Sequence, residues 1–185
     1  MNDLILQNLD VGDVEMTGSL QGYRCPVLRQ TVFTTARTLS VQESGALVLL
    51  DKNEATTITL PAITASDIGV TYTFFQTVVS DLLRKVVTAY DNDYLVGGVA
   101  NLFDAAKTDG STGGIAFVSA GATDTTAVIG DNNLANAGGG LGAITTFTAV
   151  LTGNTESGGG AKLVWAVTGI NPATAETGTG AAFFA

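Results

Sequence analysis

Thr57-Ile58-Thr59-Leu60-Pro61 and, further on, Val70-Thr71-Tyr72-Thr73-Phe74 are the stretches whose reading decides the fold class. In the first, apolar and polar residues alternate with period two. Ile58 and Leu60 therefore share one face of a strand, and Thr57 and Thr59 the other. Pro61 has no N–H to give to a ladder, so the strand ends there. The second stretch alternates likewise, with Val70, Tyr72 and Phe74 on a common face. Upstream, Leu47-Val48-Leu49-Leu50 is a short apolar run closed by the polar turn Asp51-Lys52-Asn53-Glu54. Downstream, residues 115–118, 126–129, 144–151 and 163–168 are further strand candidates, separated by Gly- or Asn-rich turns at the spacing of a sandwich or barrel. The sequence thus predicts an all-β protein, with a compact β-sandwich or barrel-like domain over residues 31–185.

One segment is ambiguous. Leu82, Leu83, Val86, Val87 and Tyr90 fall on a helical stripe that Ser80 or Asp81 would cap. The β-branched run Val86-Val87-Thr88 favours a strand, which is the reading adopted. Gly138-Gly139-Gly140 and Gly158-Gly159-Gly160 read as loops or points of close backbone approach. No repeat of fixed period is visible.

Residues 1–30 differ from the rest. Asp3, Asp10, Asp13 and Glu15 precede the first basic residue, Arg24, and Arg24, Arg29 and Arg37 then follow with no acid among them. Neither period two nor period 3.6 persists, which predicts an extended N-terminal arm. Leu4, Ile5, Leu6 and Leu9 are apolar side chains that such an arm must bury against a partner.

Composition removes whole classes of function. Only 14% of the 185 residues are charged and the formal net charge is −9. Phosphate recognition needs clustered Lys and Arg, so neither nucleic acid nor an anionic membrane is an expected partner. The uncharged run 132–155 is rich in Asn, Gly and Thr and does not read as a transmembrane helix. Met1 to Leu6 lacks the basic region and long apolar stretch of a signal peptide, so synthesis in a cytoplasm is expected. With no histidine, ordinary Ser–His and Cys–His nucleophilic pairs and imidazole metal ligands are excluded. The single cysteine, Cys25, allows no internal disulfide and no thiolate zinc cluster.

Two motifs resemble ligand sites without the required context. Gly138 to Ala143 satisfies G-x-G-x-x-A, but a strand follows where a phosphate-binding helix should open. Asp91-Asn92-Asp93 begins like a calcium loop, yet Leu95 and Val96 occupy the positions for an oxygen ligand and a glycine. Asp131-Asn132-Asn133 fails in the same way. No catalytic residue, cofactor or metal is expected. The mean hydropathy of +0.33 is high for a monomer, and homo-oligomerisation, as a trimer, is the expectation.

The stretch from Arg37 to Asp51, the Thr57-Ile58-Thr59-Leu60-Pro61 strand and Gly69-Val70-Thr71-Tyr72-Thr73-Phe74-Phe75 together resemble a module of phage virion proteins. Leu163-Val164-Trp165-Ala166-Val167-Thr168-Gly169 is similar to the closing strand of such modules. The resemblance implies a non-enzymatic structural component of a bacteriophage particle. Such modules occur in capsid decoration (cement) proteins and in head and tail fibres. A chain of this length, with room for one domain and an arm, fits a decoration protein that clamps the major capsid protein on the virion surface. On that reading Leu4, Ile5, Leu6, Leu9, Arg24, Arg29 and Arg37 are the candidate shell or subunit contacts. A fibre or receptor-binding component is the alternative, and a surface carbohydrate-binding β module a further one.

Overall fold

The computed structural model describes residues 26–33, 35–79, 82–90, 93–103, 115–120, 123–130, 140–152 and 162–173. The fold is all-β. Helix among these residues is limited to one turn, α1 (Gln30–Phe33), and two single 3-10 turns.

The chain begins by alternating between two sheets. β1 (Val27–Arg29), β3 (Ala46–Leu50) and β5 (Thr71–Gln76) lie side by side in one sheet, and β2 (Ala36–Thr38), β4 (Thr56–Thr59) and β6 (Arg84–Val87) in the other. Every one of these neighbouring pairs is parallel. Parallel neighbours need a crossover connection, and here the crossover is a strand of the opposite sheet instead of a helix. The result is a coil whose rungs stack in register, Ala36 on Thr57 and Thr57 on Lys85.

The second half of the chain closes this coil with mixed pairing. β7 (Leu95–Phe103), β8 (Ile115–Ser119), β10 (Ile144–Leu151) and β11 (Leu163–Ala173) complete a seven-stranded sheet of order β1-β3-β5-β10-β11-β7-β8. β9 (Thr126–Gly130) completes a four-stranded sheet, pairing antiparallel with β6.

The period-two reading holds at its key positions. Ile58, Leu60, Val70, Tyr72 and Phe74 are all buried, and Thr57 is exposed. They join one core to which both sheets contribute, with Val48, Phe147 and Trp165 from the larger sheet and Val86 and Ile129 from the smaller. Phe74 and Phe147 meet edge to face at 5.4 Å, and Tyr72 packs tilted on Trp165 at 5.9 Å. Aromatic pairs in these geometries add about 0.5–1.5 kcal/mol beyond burial. The ambiguous segment is strand β6, in which Arg84 and Val86 point inward.

Arg84 is 1% exposed and locks one end of the core. Its guanidinium donates to Gln76 Oε1 at 2.6 Å and to the Lys52 carbonyl, while the Gln76 amide donates to the Ile129 carbonyl. Beside it the buried Gln30 amide donates to Thr56 Oγ1 at 2.6 Å and to the Glu54 carbonyl at 3.2 Å. The β3–β4 turn is therefore held by side chains from three strands and α1. Burial pushes the Arg84 pKa down to about 10, with Asp51 acting in the opposite sense, so the group stays charged at neutral pH.

The other end carries a repeated corner. Where the chain returns from β2 to β3, the Glu43 N–H donates to the Ser40 carbonyl at 2.9 Å. The Glu43 carboxylate in turn accepts the Ser40 N–H at 2.9 Å and its hydroxyl at 3.2 Å. From β4 to β5 the same reciprocal box forms, with the Asp67 carboxylate accepting the Thr64 N–H and hydroxyl, both at 2.7 Å. Gly45 and Gly69 close these corners at φ of 81° and 94°. Ser40 recurs as Thr64 whereas Ala36 recurs as Thr57, and this unequal spacing hides the repeat from a fixed-period search.

Candidate functional site

Of the residues singled out from sequence, Leu4, Ile5, Leu6, Leu9 and Arg24 lie outside the described residues. Arg29 and Arg37 lie within them, and the structure brings the two together. They line one shallow depression of about 160 Å³ with Val27, Leu28 and Val32, at the β1 edge of the larger sheet among the described residues. Val27 and Val32 are 52% and 79% exposed. The span read as arm, residues 1–30, thus includes β1 and the first residue of α1, Gln30. A three-residue parallel strand is too short to show a period in sequence.

Both arginines have acidic partners. Arg29 Nη1 lies 3.2 Å from the Asp51 carboxylate, and its side chain remains 58% exposed. Arg37 is paired with Glu43, and both side chains are partly buried. Burial works to raise the Glu43 pKa, but the Ser40 N–H, the Arg37 guanidinium and the Ser40 hydroxyl together hold it below the usual value. Arg37 therefore braces the first corner as well as lining the patch. Arg29 presents the more accessible guanidinium.

A second feature, missed in the sequence, lies at the corner leading into β7. Here the Asp93 N–H donates to the Tyr90 carbonyl at 3.0 Å, repeating the turn of the two capped corners. Tyr90 stands where Ser40 and Thr64 stand, and its ring, 64% exposed, supplies no cap. Asp93 Oδ2 is buried with no hydrogen-bond partner. Desolvation raises its pKa, whereas the Thr64 hydroxyl and N–H lower that of Asp67. The signal available in sequence was the spacing Tyr90-x-x-Asp93, which only the two preceding corners make meaningful.

Asp93 lines a cleft of about 350 Å³ with Tyr94, Lys162, Leu163 and Ile63. Lys162 Nζ sits 5.7 Å from the centre of the Tyr94 ring. The walls are anchored by backbone bonds. The Trp165 N–H donates to the Tyr94 carbonyl at 2.9 Å, and the Lys162 N–H donates to Thr152 Oγ1 at 2.9 Å.

Among the described residues no three His, Cys, Asp or Glu side chains gather to hold a metal. No described helix is long and apolar enough to cross a membrane. No protein-family model, curated protein or solved structure matches the chain.

Proposed function

We propose that the chain is a non-catalytic structural component of a phage particle, a decoration protein that clamps the outer shell at capsomer junctions. On this reading the two sheets are the faces of one sandwich, and the N-terminal span, read from the sequence as an arm over residues 1–30, reaches neighbouring subunits. The observation that carries the reading is the patch of Val27, Val32, Arg29 and Arg37 beside β1, an edge strand of the larger sheet among the described residues. Apolar side chains there gain by burial against a partner, and guanidinium donors beside them suit acidic groups on the shell.

A clamp that binds the assembled shell and not the free subunit stabilises the shell by mass action. As a trimer it presents three patches, and each bound patch raises the effective concentration of the others. The partner on this reading is the major capsid protein, and the location is the virion surface.

Co-sedimentation of the full-length protein with undecorated particles tests this. Val32→Glu places a negative charge where acidic groups of the shell are to dock and removes an apolar contact without touching the core. It is expected to raise the Kd at least tenfold, a change of about 1.4 kcal/mol. Equal sedimentation of both proteins would remove the patch from the mechanism. A coil of stacked parallel rungs also suits an elongated assembly, which favours a fibre component as the second reading. Negative-stain images separate the two, since a decoration protein forms protrusions on the shell and a fibre forms filaments.

A further inference from the structure

We infer that the cleft of Asp93, Tyr94, Lys162, Leu163 and Ile63 is a binding site for a neutral saccharide, one or two sugar rings in size. The inference does not rest on the shell-binding reading, because the cleft and the first-rung patch share no residue. Its basis is the comparison of three corners. Glu43 and Asp67 fold back onto the N–H and hydroxyl of Ser40 and Thr64. In the third corner Tyr90 supplies no capping hydroxyl, and Asp93 lines a cleft with its Oδ2 unpartnered and shielded from solvent. A turn of the carboxylate about its own axis is what brings that oxygen to a ligand. A partly buried carboxylate without a partner is costly unless something else satisfies it.

The lining selects the ligand by charge. A free cation is opposed by Lys162 and a free anion by Asp93, whereas a hydroxyl both donates to a carboxylate and accepts from an ammonium. Ile63, Leu163 and Tyr94 offer apolar contact for the C–H face of a sugar ring. The Tyr94 ring already holds the Lys162 ammonium by cation–π attraction, which keeps that donor over the cleft. A volume of about 350 Å³ is at the lower end of the roughly 300–1,000 Å³ typical of ligand clefts, hence the small size of the ligand.

The test is a titration of full-length ¹⁵N-labelled protein with glucose, galactose, N-acetylglucosamine and their β-linked disaccharides, with glycine and Ca²⁺ as control probes. At least one sugar is expected to shift the amides of Tyr94, Lys162 and Leu163 with a Kd on the order of 1 mM. Tyr90→Thr restores the missing hydroxyl, so it should capture Asp93, raise or preserve the melting temperature, and weaken sugar binding at least tenfold. Tyr90→Ala removes the ring without adding a cap and should keep binding within about twofold of the parent. The inference is overturned if no sugar shifts these amides at about 50 mM, a level that would expose even weak binding. It is equally overturned if glycine or Ca²⁺ shifts them and no sugar does, or if Tyr90→Thr binds as tightly as the parent. Loss of binding in both variants would assign the contact to the Tyr90 ring and sink the freed-acid explanation.

Discussion

The two ends of the molecule treat a buried charge in opposite ways. At one end Arg84 is wrapped by Gln76 and the Lys52 carbonyl, groups that belong to the fold itself. At the other end Asp93 has a buried oxygen and no partner, on the wall of a cleft. The first arrangement fixes a turn. The second leaves a polar demand that the chain does not meet. Arg84 also keeps one buried atom, Nε, without a partner. The contrast is therefore one of degree, a guanidinium held by two acceptors of the fold against a carboxylate oxygen held by none, and each of the following measurements presses on it.

The largest effect is expected for Arg84→Ala, which removes the guanidinium donors to Gln76 Oε1 and the Lys52 carbonyl and opens a cavity. By analogy with removing one partner of a buried charged pair, a loss of roughly 3–5 kcal/mol is expected, seen as a drop of about 10 °C in Tm. Arg84→Lys should recover only part of it, because one ammonium cannot copy the fork that reaches both acceptors. A loss below about 1 kcal/mol for Arg84→Ala would mean that the end is not locked by this residue.

Next comes Glu43→Ala, which removes the first corner's cap and the partner of Arg37. A cost of about 1–2 kcal/mol is expected in urea unfolding at neutral pH. The Glu43 pKa is lowered in the fold, so its contribution is present above the unfolded value of 4.5 and is lost as pH falls through the folded value. The parent and Glu43→Ala stability curves should therefore converge at low pH. Parallel curves would show that the carboxylate is not the stabilising group.

Gly69→Ala should cost about 1–2 kcal/mol. An added Cβ at Gly69 meets no atom within 4 Å, and only its φ of 94° opposes the change. A neutral outcome would show that the second corner adjusts its backbone.

The smallest effect has the opposite sign. The Asp93 pKa is raised in the fold by desolvation, so its contribution is fully present below the unfolded value of 3.8 and is lost as pH rises through the folded value. Asp93→Asn should therefore be neutral or stabilising by a few tenths of a kcal/mol at pH 7, with a flatter pH dependence than the parent. Clear destabilisation at pH 7 would place Asp93 with Arg84, as a structural charge.

The strands were legible wherever alternation was clean. Ile58, Leu60, Tyr72 and Phe74 face the core as their spacing requires, and residues 144–151 form β10 with the expected bounds. What alternation cannot carry is the partner of each strand, so the parallel stacking and the coil were invisible. β7 was missed because Gly97-Gly98 reads as a turn. In the structure a Cβ on Gly97 would lie 2.3 Å from the Val167 carbonyl, so the glycine permits a close approach inside a strand. Arg84 was missed because a charged residue reads as outward-facing, although it shares a face with Val86. Arg29 and Arg37 were singled out for their charge, and their meeting at one patch follows from the stacking of β1 and β2 on the same rung end.

The placement of β10 and β11 between β5 and β7 has a consequence in time. Leu95 of β7 pairs with Trp165 of β11, so β7 cannot find its parallel neighbour until β8, β9 and β10 have been made as well. Such distant partners make loop closure slow relative to local pairing. During synthesis the early rungs can stack while β5 and β7 still present bare ladder edges, the kind of surface that pairs with other chains. β10 and β11 thus follow β7 in the chain yet fill the middle of the larger sheet, and the chain is exposed to misassembly until they arrive.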